Sequence, residues 1–189
     1  MRAVLAAAVC LLLLAACTTV RPVDGETTPL GKGLDMRLPA APGYPGHFAA
    51  SQTVVGNYGE RKGAFQAVLD LGPDRAQVVL TAVSGPRILG ITWTSAGIVE
   101  DRTPLAPEGL KGINVLGDIF VSLWPVEAVQ RAMPDGVTVS VEGNVRRVKT
   151  ADRVVEEIET TEDDGATMRQ ELRNLDLGYR LTIVTEKDG

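Results

Sequence analysis

The sequence is poor in the residues that most enzymes and metal sites depend on. It has one histidine, His47, and two cysteines, Cys10 and Cys17. A zinc site takes several imidazole or thiolate ligands, and a Ser-His-Asp arrangement takes a histidine held among its partners. His47 instead ends a Pro/Gly-rich stretch and reads as a solvated linker residue. Basic residues are the minority, 19 against 24 acidic, for a formal net charge of −5. That balance gives no general attraction for nucleic acid or anionic head groups. Aromatic residues are few, two Trp, three Tyr and three Phe. The glycines match no phosphate-cradling pattern, so no cofactor is expected. After residue 17 no apolar run approaches the length that crosses a bilayer.

The first seventeen residues carry the strongest signal. Arg2 precedes an apolar run from Ala3 to Ala16, which fits the ~7–15 residues of a secretory leader better than the ~20 of a membrane span. The run ends Leu14-Ala15-Ala16-Cys17, which resembles the bacterial lipobox. That resemblance implies a signal peptide at 1–16, cleaved before Cys17, and lipid carried on the Cys17 thiol. Cys10 leaves with the leader, so no thiol pair remains for a disulfide and the fold must stand on its core. One acyl chain anchors marginally, whereas two or three palmitate-type chains anchor stably. Thr18 stands where an aspartate would signal retention at the inner membrane. By resemblance the chain is expected at the outer membrane, lipid-anchored and facing the periplasm.

Residues 17–46 read as the lipidated cysteine and a tether, with prolines at 22, 29, 39, 42 and 45 and glycines at 25, 31, 33, 43 and 46. Part of it, near Leu34 to Leu38, is open to packing on the body. Residues 47–189 read as one β domain. Period-two alternation predicts strands over 52–58, 62–71, 76–83, 88–94 and 98–102. At 114–134 the period changes, with Leu116, Ile119, Phe120 and Leu123 on one helical stripe. Asn114 is the expected N-cap and Asp118 a residue favourable to the helix dipole. Pro125 separates a second helix carrying Val126, Val129 and Met133. Strands then resume over 137–141, 145–149, 153–161, 168–174 and 179–186. The expected class is mainly β with α. It is a curled antiparallel sheet of about nine to eleven strands, an incomplete barrel with a helical pair over one face.

Little in this pattern points to catalysis. The acidic run Glu156, Glu157, Glu159, Glu162, Asp163 and Asp164 lacks the oxygen spacing of a calcium loop. It reads as a solvated face opposite Arg169 and Arg173. No carboxylate pair stands out for glycoside chemistry, so no enzyme is expected. The apolar stripes are the positive signal. Phe65, Leu69, Val78, Leu80, Ile91 and Trp93 would line the sheet, opposite Leu116, Ile119, Phe120, Leu123 and Trp124 on the helices. They either close into a core or leave a cavity for an acyl ligand. Ile88 and Leu89, after the Gly85-Pro86 turn, are expected at an exposed hairpin tip that contacts membrane or a partner.

A lipobox, a short tether, a meander from about Gln52, the turn Gly85-Pro86-Arg87-Ile88-Leu89-Gly90, a helical pair and a second β set together resemble the LolA/LolB superfamily of periplasmic lipoprotein carriers. Over about residues 48–186 the chain looks most like an outer-membrane lipoprotein family associated with aryl polyene gene clusters. The Asp118…Leu123-Trp124-Pro125 junction matches that family. The resemblance implies a LolB-like half-barrel with an apolar cavity for a lipid, lipoprotein or polyene-type acyl ligand. By chain order it places the lipid-contacting leucine at Leu89. The expected function is an anchored, monomeric lipoprotein that binds or transfers a lipidic ligand, with no nucleic-acid partner. The alternative is a non-catalytic structural or envelope-assembly lipoprotein with a closed core.

Overall fold

In chain order, a hairpin of β1 (Thr27–Gly31) and β2 (Leu34–Arg37) comes first. Five strands follow, β3 (Phe48–Tyr58), β4 (Arg61–Leu71), β5 (Arg75–Ala82), β6 (Arg87–Thr94) and β7 (Gly97–Arg102). Two helices, α1 (Gly112–Leu123) and α2 (Val126–Ala132), lead to β8 (Thr138–Glu142), β9 (Val145–Lys149), β10 (Val154–Glu162), β11 (Thr167–Asn174) and β12 (Tyr179–Lys187). This computed structural model describes residues 26–58, 61–162 and 165–187. The expected leader at 1–16, Cys17, the first part of the tether (18–25) and the Asp163-Asp164 turn lie outside the described residues.

Strands β3 to β12 form one antiparallel sheet of ten, in the order β7-β6-β5-β4-β3-β12-β11-β10-β9-β8. Last strand meets first body strand, with Val54 opposite Ile183, so the two meanders join at the middle. The sheet stays unclosed, with β7 and β8 at its edges. Alternation decides its inner face. Ala67, Leu69 and Leu71 on β4 and Ala76, Val78 and Leu80 on β5 are all buried. Val139 and Val148 near one edge join the same apolar cluster as Ile91 and Trp93 near the other.

The tether reading fails over β1, while the stretch near Leu34 to Leu38, left open to packing, does pack on the body, largely as β2. Leu30, Met36 and Leu38 are 2 %, 1 % and 1 % exposed, and the hairpin packs on α1. There a Cβ on Gly117 would sit 2.9 Å from the Thr28 side chain, so this approach needs glycine. Pro29 and Gly31 lie within β1 itself and Gly33 in the turn, and three apolar side chains outweigh their local preference for irregular chain. Met36→Ala should therefore lower the unfolding free energy by about 2–5 kcal/mol in a urea titration. A solvated tether would show no change.

Helix α1 begins at Gly112, two residues before the expected cap. Lys111 makes no capping bond with its side chain. Instead the Gly112 N–H donates to Glu100 Oε2 on β7 at 2.9 Å, placing a carboxylate at the positive helix end. The far end lacks a basic residue of its own. There the Arg146 guanidinium from β9 donates to the carbonyls of Val121 and Trp124, satisfying orphan acceptors of the last turn. Trp124 stacks among Phe120, Trp93 and Tyr44, with ring centroids at 5.2, 5.9 and 4.9 Å. Its indole N–H donates to the Pro42 carbonyl at 2.7 Å. On α2, the Gln130 amide bridges edge strand β8, accepting from Val139 N–H at 2.7 Å and donating to the Val137 carbonyl at 2.9 Å.

Candidate functional site

Aromatic packing fills only one side of the space between sheet and helices. Trp93, Phe120, Leu116, Leu69, Val78 and Ile91 are at most 1 % exposed and close on one another. Over β3, β4 and β12 the inner-face side chains include Gln52, Val54, Phe65, Ala67, Leu181 and Ile183, and space remains between them and α1. A cavity of about 670 Å³ opens there. Phe65, Ile88, Leu110, Val115, Leu177 and Leu181 supply its apolar wall. A smaller hollow of about 50 Å³ lies deeper along α1 and shares Phe65, Val115, Asp118 and Leu181 with it.

The mouth faces the sheet end that carries the β3–β4, β5–β6 and β11–β12 turns. Lys62, Lys111 and Asn57 stand at it, the two lysines exposed. Arg102 holds the mouth loop in place, bonding the carbonyls of Leu110 and, at 3.0 Å, Pro107.

The eleven sequence candidates therefore divide. Phe65, Leu80, Ile119 and Leu123 line the cavities. Leu69, Val78, Ile91, Trp93, Leu116 and Phe120 belong to the closed core, and Trp124 is 1 % exposed beside them. The expected contact tip is corrected outright. Leu89 is 0 % and Ile88 8 % exposed, both within β6. Leu80 pairs with Leu89 but Thr81 pairs with Arg87, so Ile88 is the extra residue of a β-bulge. A bulge breaks the alternation and turns two successive side chains inward. The exposed apolar residue of that turn is Val83, at 63 %. Ile88 serves the cavity wall instead.

Polar side chains behind the cavity were not foreseen in these roles. The Tyr179 hydroxyl donates to Asp118 Oδ1 at 2.6 Å. Glu156, 2 % exposed, accepts from Asn174 Nδ2 at 2.9 Å, and the same nitrogen donates to the Leu30 carbonyl at 2.9 Å. The solvated-face reading thus fails for Glu156, while Glu157 does pair outside, with Arg147 at 2.7 Å and Arg173 at 3.0 Å. Arg169 bonds Glu171 on its own strand. Glu156 shares strand parity with Ile158, and that was the available signal for its inward side chain.

These carboxyls sit in poorly solvated surroundings. Burial pushes Asp118 up to about 7, against the lowering effect of the Tyr179 hydrogen bond. Burial, and then the Asp118 charge, push Glu156 up to about 8, with the Asn174 bond opposing. Tyr179 is raised by burial and by both carboxylates. A carboxylic acid held neutral near pH 7 can donate a hydrogen bond that a carboxylate cannot. Among the described residues, no group of three or more His, Cys, Asp or Glu is placed to hold a metal ion. His47 lies far along the surface, 2.8 Å from Asp70 Oδ1, with both side chains exposed.

Residues 49–187 match the model of a family described as a protein of unknown function, DUF3261. No curated protein matches the chain.

Proposed function

The chain belongs to the DUF3261 family, whose description assigns no activity, and from its geometry we propose an outer-membrane-anchored periplasmic lipoprotein that binds or hands over a lipidic ligand. The carrying observation is the cavity of about 670 Å³ between α1 and the sheet, within the ~300–1,000 Å³ of small-molecule sites. Each methylene buried there would contribute about 0.8 kcal/mol. The lipobox-like Leu14-Ala15-Ala16-Cys17 supports lipid attachment at Cys17. The unclosed ten-stranded sheet supports a LolB-like half-barrel with the helices over its inner face. The anchored protein acts as a monomer and needs no cofactor. One observation favours the second reading, a structural or envelope-assembly lipoprotein: most of the facing apolar stripe, including Trp93 and Phe120, is closed core.

The two readings separate experimentally. A Cys17→Ser variant purified without detergent should show co-purifying lipid in native mass spectrometry. It should also bind N-phenyl-1-naphthylamine saturably. Val115 borders both hollows, so Val115→Trp should weaken probe binding about tenfold or more while leaving the far-UV spectrum unchanged. Absence of saturable binding to the unsubstituted cavity favours the closed-core reading.

A further inference from the structure

The wall that α1 gives the cavity carries a regular polar stripe. Asn114, Asp118 and Ser122 are spaced four apart and lie one above another on the helix. Asn114 and Asp118 line the larger cavity, and Asp118 and Ser122 the smaller one. Gln170 meets them from β11 and Tyr179 from β12. Ser122 is 9 % and Gln170 2 % exposed. Ser122 Oγ, Gln170 Oε1 and Asn114 Oδ1 have no protein partner among the described residues. The Gln170 amide nitrogen is already used on Thr160, at 3.2 Å, and the Tyr179 proton on Asp118, at 2.6 Å. What remains along the stripe is mostly oxygen that can accept.

Resting on the ligand-binding reading, the geometry points to an amphiphile whose polar group enters the cavity and donates hydrogen bonds to this stripe. That group is a hydroxyl or a primary amine, and not a carboxylate or phosphate. An acidic head would lie against Asp118, with Glu156 behind it, at a poorly solvated wall. Among the described residues the inner hollow offers no cation to pair with it, and an unpaired buried charge is costly. It would be better served outside, by Lys62 and Lys111 at the mouth. The raised pKa values of Asp118 and Glu156 agree with a wall that disfavours anions. An ammonium would also supply the positive charge that these two acids lack.

Displacement of N-phenyl-1-naphthylamine by dodecanoic acid, 1-dodecanol and dodecylamine tests the assignment on Cys17→Ser protein. The alcohol and the amine should displace the probe at concentrations about tenfold or more below the acid, a difference of about 1.4 kcal/mol. The amine should gain further between about pH 6 and about pH 8, as the acids give up protons to pair with it, and the alcohol should not. Asp118→Leu should bring the three ligands within about twofold of one another while the probe still binds. Ser122→Ala, a smaller change, should narrow the preference in the same direction. An acid that binds as tightly as the alcohol and the amine overturns the inference, because its head then sits with Lys62 and Lys111, and leaves the ligand-binding reading standing. Failure of the unsubstituted cavity to bind the probe or any of the three overturns both.

Discussion

Trp124→Ala is expected to lower the unfolding free energy by about 3–5 kcal/mol. The indole is 1 % exposed and touches three other rings, those of Phe120, Trp93 and Tyr44. It also lies where α1 ends, so its removal opens a cavity at the meeting point of helix, sheet and the 39–46 segment. The indole N–H bond to Pro42 adds a separable part. Trp124→Phe keeps ring packing but leaves the Pro42 carbonyl without its donor, and should cost about 1–3 kcal/mol. Urea unfolding followed by far-UV circular dichroism reads both values. Limited proteolysis adds a local check, because both variants should expose the chain around Pro42 to cleavage sooner. A loss below about 1 kcal/mol for Trp124→Ala would mean that the aromatic cluster is not what seats the helix. Val68→Ala, at a position 50 % exposed, is the control and should lie within about 0.5 kcal/mol of the parent.

Raising the pH from about 4 to about 8.5 should destabilise the fold by several kcal/mol. In the unfolded chain Asp118 and Glu156 lose their protons near pH 4, as ordinary carboxyls do. In the fold they hold them until about 7 and about 8. Between those limits the native state binds more protons than the unfolded state, so stability falls as pH rises, and levels off above the folded values. The groups facing the pair are Tyr179 on β12, whose hydroxyl is itself raised, and Asn174 on β11. Arg153 acts oppositely on Asp176, holding it below its ordinary value. That contribution is present at neutral pH and is lost as pH falls through the folded Asp176 pKa, so it shapes only the acid limb. Asp118→Asn with Glu156→Gln removes the titration while keeping acceptors for Tyr179 and Asn174. The doubly substituted protein should show a nearly flat profile from about pH 5 to about pH 8.5. A parent protein whose urea midpoint does not fall over that range would contradict the poorly solvated state of the two acids.

Most strands of the main sheet were legible because they have a one-sided face. Leu69 and Leu71 flank Asp70 on β4, Val139 lies between Thr138 and Ser140 on β8, and period two needs no long-range information. Helix α1 was legible for the same kind of reason, through Leu116, Ile119, Phe120 and Leu123. The β1–β2 hairpin was not. Its strands are five and four residues long, too short for periodicity to outweigh Pro29, Gly31 and Gly33, and its burial is decided by α1 far along the chain. Leu89 was misplaced because it was read with Ile88 as a hairpin tip, although it shares parity with Ile91 and Trp93; the bulge then turns Ile88 to the same side. Asp118 was read for its charge at a helix end, whereas its spacing from Asn114 and Ser122 held the more useful signal. A polar stripe on a helix is ordinarily its solvent side, and only the gap between α1 and β12 makes this one an inner wall.

The packed hairpin also sets how far the body can range from a bilayer. Had residues 17–46 been free chain, the domain could have swung through a radius of roughly 100 Å at full extension. With β1 docked from Thr27, only about nine residues separate it from Cys17, a leash of roughly 30 Å at most. On the lipid anchoring proposed here, the domain would patrol a thin layer next to its own membrane and could not cross the compartment. Any ligand it takes up or hands over would have to be delivered to that layer by a partner that travels, or drawn from the membrane itself.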